Sequence, residues 1–269
     1  IIAQLKSGGM WPLIKQRPFG KIAVSTQSPK ALFINAMETA PLAADQEFLL
    51  RGRDKEFALG LLAMRRIVEK EIHLCMHEEC KSEMLTNAEG VEKQTFSGPH
   101  PAGLSGTHIG LISPINKGET VWIITAYQLS LIGEFLMSGK HPDKQLVAVV
   151  GPKAARRGYF RVVRGAQISN VLAGQSLSGC RAISGNALFG DAKSAEECMN
   201  WRETTVTVLE EDIRQFYLLS DKHWAGAGFK AFSSWPLFAS ALNKSPKRWA
   251  LGTSLHGGHR AIIQQDLYE

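Results

Sequence analysis

The sequence predicts an α/β protein whose first half forms a mostly parallel sheet covered on both faces by helices. Two observations support this prediction. Apolar runs of strand length alternate with segments of helical periodicity as far as Lys140. After His141-Pro142-Asp143 the apolar runs follow one another too closely for a further β-α-β crossover, which indicates a second and more compact unit.

The first β-α-β unit of the predicted sheet begins with residues 30–36 (KALFINA), an apolar run of strand length. Residues 54–69 then carry apolar side chains at helical spacing, namely Phe57, Leu61, Met64 and Val68. Asp54 is the expected N-cap of this helix. A second strand, EIHLCM, follows directly from Glu71.

The next strand and helix lie between residues 121 and 139. VWIITA, from Val121, is typical of a buried strand. Residues 128–138 place several apolar side chains on one side of a helix, and Gly139 is expected to end it. Strands that alternate with helices in this way favour parallel pairing, because each helix returns the chain to the same edge of the sheet.

The second half of the chain, from a boundary near Lys140, is predicted to contain shorter elements. LVAVVG and GYFRVVRG are strand-like, and ISNVLAG is predicted to form a short helix. Residues 204–212 (TTVTVLEED) and 216–219 (FYLL) are interpreted as a hairpin around a charged turn. From His223 onward the sequence lacks periodicity, and we expect mostly irregular structure.

The composition is typical of an ordinary soluble globular chain with one or two domains. The chain has 269 residues, 44% of them apolar, and begins with Ile1, so we expect a piece of a longer protein. No segment is typical of a signal peptide, and the most apolar window, 121–137, falls short of a bilayer span. The four cysteines are few and irregularly spaced, which favours free thiols in the cytoplasm.

The net charge of +6 is concentrated in two clusters, around residues 153–164 and 244–248. A solvated face explains such clusters, and so does a docking surface for an acidic partner or for anionic lipid headgroups. Nucleic acid is disfavoured, because no aromatic residues interleave with the cations in the manner of a binding module.

Three common nucleotide or hydrolase motifs are absent or fail in context. The Gly-x-Gly-x-x-Ala match at 226–231 lacks the acidic residue about twenty positions later that a dinucleotide ribose requires. Residues 133–140 have the wrong spacing for a Walker A loop. The stretch Gly103-Leu104-Ser105-Gly106 is one residue short of a nucleophile elbow.

His73, Cys75 and His77 alternate along a predicted strand and therefore face one side, with Cys80 nearby. This pattern resembles a metal site on paper. One short strand cannot wrap four ligands tetrahedrally around zinc, and no second Cys/His pair follows at finger spacing, so we expect no metal there.

The stretch SGPHPAGLSGTH (97–108) combines three glycines, two prolines and two histidines. Glycines permit positive φ and prolines stiffen turns, so a purely structural loop is one interpretation. A functional loop is the other, because the stretch lies between two predicted elements of the α/β unit, where ligands approach such sheets. Its two histidines could donate hydrogen bonds to a carbonyl group.

Several segments, taken together, resemble one protein family in order over nearly the whole chain. They are WPLIKQRPFGKI, FINAMETAPLAAD, SGPHPAGLSGTH, TVWIITAYQ, LVAVVGPKAARRGYFRVVRGAQISNVLAGQ and RAISGNALFG. The resemblance is to the NqrA component of the bacterial sodium-translocating NADH:quinone oxidoreductase. It implies a peripheral subunit on the cytoplasmic face of the inner membrane. The complex would have six subunits, pass electrons from NADH to ubiquinone and export sodium.

The resemblance also implies kinship with the flavin-carrying subunits of complex I and of the Rnf complex, and hence a Rossmann-like domain. Those relatives hold FMN on a Gly-rich loop, followed by an acidic motif after a strand. Here the acidic motif survives in degraded form as NAMETAP (35–41), and the loop has become SGGMWP (7–12). A phosphate cradle needs bare backbone amides, and Met10 and Trp11 stand in its place. We therefore expect the FMN and NADH sites to be lost, with Glu38 retained as a loop hydrogen-bond acceptor.

The same resemblance sets the expected domains and ligands. It implies a Rossmann-like α/β domain at 1–140, a β-grasp module of the SLBB type at 141–195 and a mixed C-terminal segment at 196–269. The chain lacks a flavinylation sequence and the cysteine series of an iron–sulfur site, so no resident cofactor is expected. A quinone needs an apolar slot and hydrogen-bond donors, which on residue type favours four candidates: Trp11, Arg17, His100 and His108. A flavoenzyme with an unusual loop and a ligand-free assembly scaffold are the alternatives.

Overall fold

A computed structural model describes residues 1–211, which fold into two compact units. The first unit comprises Ile1–Val147 together with Arg161–Arg164, and the second comprises Ala148–Phe160 and the described chain from Gly165 onward.

The first unit contains six helices and a six-stranded sheet within the described residues. The helices are α1 (Ile2–Ser7), α2 (Gln46–Leu50), α3 (Asp54–Ile67), α4 (Glu83–Thr86), α5 (Ser105–Ile112) and α6 (Ala126–Ser138). The strands are β1 (Lys15–Arg17), β2 (Lys21–Ile22), β3 (Ala31–Asn35), β4 (Glu71–His77), β5 (Glu92–Phe96) and β6 (Val121–Thr125). Their order in the sheet is β2-β1-β6-β3-β4-β5.

Four strands of this sheet are parallel, and the hairpin of β1 and β2 is added antiparallel at one edge. β3 pairs in parallel with β4 on one side and with β6 on the other, and β5 extends the sheet beyond β4. β1 runs antiparallel to β6. All five residues of β3 are buried, as expected for a central strand covered on both faces.

The predicted elements of this unit are confirmed at β3, β4, β6, α3 and α6. Gly139 ends α6 with φ 67°, in the left-handed conformation that favours glycine. The prediction that Asp54 is an N-cap was wrong. The N-cap of α3 is Arg53, and Asp54 is its first helical residue, where a carboxylate still favours the positive end of the helix dipole.

Helices α3 and α6 pack closely because glycines lie at their crossing. A Cβ at Gly133 of α6 would stand 1.7 Å from the carbonyl oxygen of Glu56 in α3. A Cβ at Gly60 of α3 would lie 2.3 Å from the carbonyl oxygen of Leu129 in α6. Each helix backbone therefore fills the space that a side chain would need on the other.

The second unit is built on a five-stranded mixed sheet. Its elements are β7 (Lys144–Val150), β8 (Gly158–Val163), α7 (Ile168–Val171), β9 (Cys180–Ser184), β10 (Asp191–Lys193) and β11 (Thr205–Glu210). The order is β10-β9-β11-β7-β8, with β11 parallel to β7 and antiparallel to β9. The predicted strands at 146–151 and 158–165 and the short helix at 168–174 are confirmed by β7, β8 and α7.

The segment expected to form a hairpin contributes β11, which lies between β7 and β9 in this sheet. The sheet thus includes a strand from the region that we assigned to the C-terminal segment at 196–269. The other predicted hairpin strand, 216–219, and the region from His223 onward lie outside the described residues.

Candidate functional site

The strand order of the first unit marks one position where a ligand would approach. β3 is the first of the parallel strands; the chain adds β4 and β5 on one side of it and then returns to add β6 on the other. Sheets with such a reversal have a crevice outside the carboxyl ends of the two strands concerned, and ligands bind there. In this chain those ends are Asn35 and Thr125, which pair with each other in the register.

Asn35 ties the end of β3 to the loop 97–104. Its Nδ2 donates to the carbonyl oxygen of Gly103 at 2.9 Å and to Ser105 Oγ at 3.3 Å. Its Oδ1 accepts from the backbone N–H of Met37 at 3.0 Å. The side chain therefore fixes both the turn after β3 and the loop that leads into α5.

Thr39 connects the same loop to His100. Thr39 Oγ1 accepts from the backbone N–H of Gly103 at 2.8 Å and lies 3.2 Å from Nδ1 of His100. Because the hydroxyl already accepts from Gly103, its proton is directed to Nδ1, which assigns the imidazole proton of neutral His100 to Nε2. The half-buried ring of His100 is thus oriented with a defined tautomer at the carboxyl end of β3.

Gly103 is the point at which the loop meets the turn after β3. A Cβ at this residue would lie 2.7 Å from the backbone nitrogen of Thr39 and 2.8 Å from Thr39 Oγ1. Contacts this short to backbone atoms leave no room for a side chain, so the close approach requires glycine.

Glu38 lies at the surface beside this contact. Its Oε1 accepts from the backbone N–H groups of Thr39 and Ala40, both at 2.9 Å. The prediction that Glu38 serves as a loop hydrogen-bond acceptor is confirmed by these two bonds.

His108 lies in α5 beneath the loop and is fully buried. Its Nε2 donates to the carbonyl oxygen of Ala102 at 2.8 Å, and its ring stacks on Phe96 with 4.2 Å between centroids. Burial lowers the pKa of His108, and the bond to Ala102 opposes this shift only in part. His108 therefore holds the loop in shape as a neutral ring whose donor is already used.

Trp11 and Met10 are both buried in the core of the first unit. Trp11 Nε1 donates to the carbonyl oxygen of Ala23 at 2.8 Å, and its ring packs edge-on against Trp122 with 5.5 Å between centroids. These two side chains do not stand over the turn that they were expected to shield. The expected steric reason for a lost phosphate cradle was therefore wrong.

The peptide groups of this turn are nevertheless already engaged. The N–H groups of five residues donate to carbonyl oxygens of the chain, and Pro12 has none; the five are Gly8, Gly9, Met10, Leu13 and Ile14. A cradle for phosphate requires several N–H groups that point together at the anion. Here most of them end α1 and close the turn that follows it.

Arg17 lies at the opposite edge of the sheet from His100. The antiparallel register places Arg17 beside Val121, the first residue of β6, whereas the His100 loop joins Asn35 beside Thr125, the last. The structure thus brings His100 and His108 together on one loop and helix. It does not bring Arg17 to them, and it places Trp11 in the core.

The alternating residues of β4 are occupied by packing. His73 is buried against Phe33, with 4.9 Å between ring centroids, and Cys75 is buried in the cluster formed with α5. Burial raises the pKa of Cys75 to about 12, so its thiol stays protonated. Within residues 1–211, no three His, Cys, Asp or Glu side chains are grouped to hold a metal ion.

Sequence reasoning missed Asn35 and Thr39 as members of this site. A polar residue directly after a buried strand is the available signal for Asn35, since the carboxyl ends of parallel strands carry ligand-binding groups. No local signal marks Thr39, because its role depends on a loop more than sixty residues away.

Fold and site together define a two-unit α/β protein in which a histidine-bearing loop closes the crevice of a parallel sheet. Residues 1–141 match the family model described as the NqrA second alpha/beta domain, and residues 146–194 match the model described as the NQRA C-terminal domain. The chain belongs to the NqrA family. This family was expected from the sequence, and the matches confirm it.

The similar curated proteins are the A subunits of Na(+)-translocating NADH-quinone reductases. The protein of Rhodopirellula baltica is 33% identical, covering 97% of this chain and 57% of the relative. That of Neisseria meningitidis is 34% identical, covering 98% and 58%. That of Saccharophagus degradans is 32% identical, covering 100% and 59%. The chain therefore spans less than two thirds of the length of these relatives.

The helices of the described chain were also compared with the requirements of a bilayer. Across residues 1–211, none combines the length and the apolar character that a membrane-crossing helix needs.

Proposed function

We propose that this chain works as part of the NqrA component of a sodium-translocating NADH:quinone reductase. It would be a peripheral subunit on the cytoplasmic face of the bacterial inner membrane, in a complex of six subunits that passes electrons from NADH to ubiquinone and exports sodium. The observation that carries the proposal is the similarity to NqrA proteins along 97% or more of the chain in three relatives.

We further propose that the first unit is a Rossmann-like scaffold without flavin or NADH of its own. The order of its parallel strands, with the first strand central and the chain reversing beside it, supports the kinship with nucleotide-binding sheets. The engaged N–H groups between Gly8 and Ile14 support the loss of the phosphate site, since an anion there would have to displace bonds that end α1.

Quinone contact is proposed at His100. Its position at the carboxyl end of β3 and the tautomer set by Thr39 give it the donor that a quinone carbonyl needs. His108 supports the loop from below, and Trp11 packs in the core of the unit. This narrows the set of four candidates to one direct contact.

The flavin part of the proposal is tested by the absorbance of the natively purified protein. We expect no flavin bands. A stoichiometric bound flavin would favour the alternative, an NADH-oxidising flavoprotein with an unusual loop.

The quinone part is tested by labelling with a photoreactive ubiquinone, followed by peptide mapping of the chain within its complex. We expect label on peptides from 97–104, and a loss of most of that label in His100→Ala. The control is His141→Ala, which removes an exposed histidine elsewhere in the same unit. Equal labelling of the two variants, or label only on other peptides, contradicts this assignment and leaves a ligand-free scaffold.

A further inference from the structure

The hairpin formed by β1 and β2 exposes an aromatic side chain at its tip. Phe19 is 83% exposed, and Ile22 in β2 is 49% exposed. Phenylalanine exposed to this extent on a turn leaves most of its apolar surface in water, and that surface gains free energy when it is covered.

The part of the chain that carries this hairpin is uniformly basic. Residues 1–37 contain five lysines and arginines and no aspartate or glutamate: Lys6, Lys15, Arg17, Lys21 and Lys30. Lys30 is paired with Glu119 at 2.8 Å. Glu119 precedes Val121, the residue opposite Arg17, but its carboxylate is held by Lys30 and Asn116. The hairpin therefore presents positive charge without a carboxylate of its own.

The register of the hairpin places cations and apolar side chains together. Lys15 pairs with Ile22, and cross-strand partners project from the same face of a sheet. Arg17 lies two residues from Lys15 on the same strand and so shares that face. On the other face Gln16 is buried, while its partner Lys21 is exposed.

We propose that hairpin 15–22 is a contact site for an anionic lipid surface, with Phe19 inserted among the headgroups and the surrounding cations on the phosphates. Apolar side chains that enter the interface and cations that remain at headgroup level are the two components of peripheral membrane binding. The exposed phenylalanine on a turn, rather than in a groove, favours lipid over an acidic protein segment. This inference is independent of the proposed function and involves no quinone.

The test is cosedimentation of the 269-residue protein with vesicles of phosphatidylcholine alone and of phosphatidylcholine with phosphatidylglycerol. We expect binding to the anionic vesicles only, weakened by salt because exposed charges are screened. Phe19→Ser is expected to weaken that binding about tenfold, the effect of removing part of a buried phenylalanine. The double variant Lys15→Gln/Lys21→Gln is expected to weaken it to a similar extent and to flatten its salt dependence.

Matched variants separate this site from general charge and apolarity. Leu111→Ser removes a side chain that is 71% exposed elsewhere in the unit, and Lys55→Gln/Lys70→Gln removes two exposed cations. Both are expected to bind like the parent protein, with circular dichroism verifying that all variants fold. The proposal is overturned if the parent protein binds no anionic vesicles or if Phe19→Ser binds equally well. It is also overturned if only polyglutamate is bound, which would indicate an acidic protein partner.

Discussion

At the scale of single residues, His108 shows how burial determines what a titratable group can do. The ring is fully enclosed, donates to Ala102 and stacks on Phe96. A charged imidazolium in this place would lose its hydration, so folding favours the neutral form and lowers the pKa. The unfolded chain, whose histidine titrates at about 6.5, therefore takes up this proton more readily than the folded chain.

We expect a pH dependence of stability from this residue. Because the folded pKa lies below the unfolded one, the contribution of His108 is fully present above about pH 6.5 and is lost as the pH falls through the folded value. The slope reaches at most about 1.4 kcal/mol per pH unit for one proton. Urea unfolding between about pH 7.5 and about pH 5.5 measures it.

The matched variant for this measurement is His108→Gln, which retains a donor for Ala102 but cannot titrate. We expect it to be less stable at neutral pH, because the ring stacking is lost, and to have a flatter pH profile. An unchanged slope would show that other histidines cause the dependence.

At the scale of elements, the crossing of α3 and α6 depends on a missing side chain. A Cβ at Gly133 would overlap the carbonyl group of Glu56, and backbone cannot rotate away as a flexible side chain can. We expect Gly133→Ala to force the helices apart and to lower the free energy of unfolding by about 3 kcal/mol. Denaturant unfolding measures this change.

The control at this scale is Gly110→Ala in α5, where an added Cβ meets no atom within 4 Å. Alanine should there improve the helix by about 0.5–1 kcal/mol. If Gly133→Ala also stabilised the protein, the close helix crossing would be wrong.

The elements also differ in how far sequence could predict them. β3 and α6 were predictable because continuous apolar runs and a terminal glycine are strong local signals. β5 was not, since EKQTF is mostly polar and forms an exposed edge strand whose only stabilising strand partner in the described sheet is β4. The short hairpin of β1 and β2 was missed for a similar reason, because two or three residues carry no measurable periodicity.

At the scale of the whole molecule, the candidate site depends on register and topology that sequence alone does not contain. His100 and His108 were selected correctly as neighbours because one short loop carries both. Arg17 was grouped with them on residue type, but an antiparallel strand carries it to the far end of β6. Trp11 was placed in a lost cofactor loop by resemblance, and only the packing against Trp122 shows that its side chain is in the core.

The basic cluster of the second unit provides the last prediction, which rests on the proposed function. Loop 151–157 exposes Lys153, Arg156 and Arg157. Gln175 holds the loop at two points, accepting from the N–H of Ala155 at 2.8 Å and donating to the carbonyl oxygen of Lys153 at 2.7 Å. Because backbone groups make these bonds, the cations can be replaced without releasing the loop, and their fixed position reduces the entropy lost on binding a partner.

We expect Lys153→Gln/Arg156→Gln/Arg157→Gln to retain the melting temperature of the parent protein and to copurify less with the other subunits of the reductase. Loss of three fixed charges from a docking surface should slow association most strongly at low salt. The control Lys55→Gln/Arg66→Gln/Lys70→Gln removes the same charge from exposed positions on and after α3. If both variants copurify equally, overall charge or no charge governs assembly. A selective loss in the first variant assigns the loop to an interface between subunits.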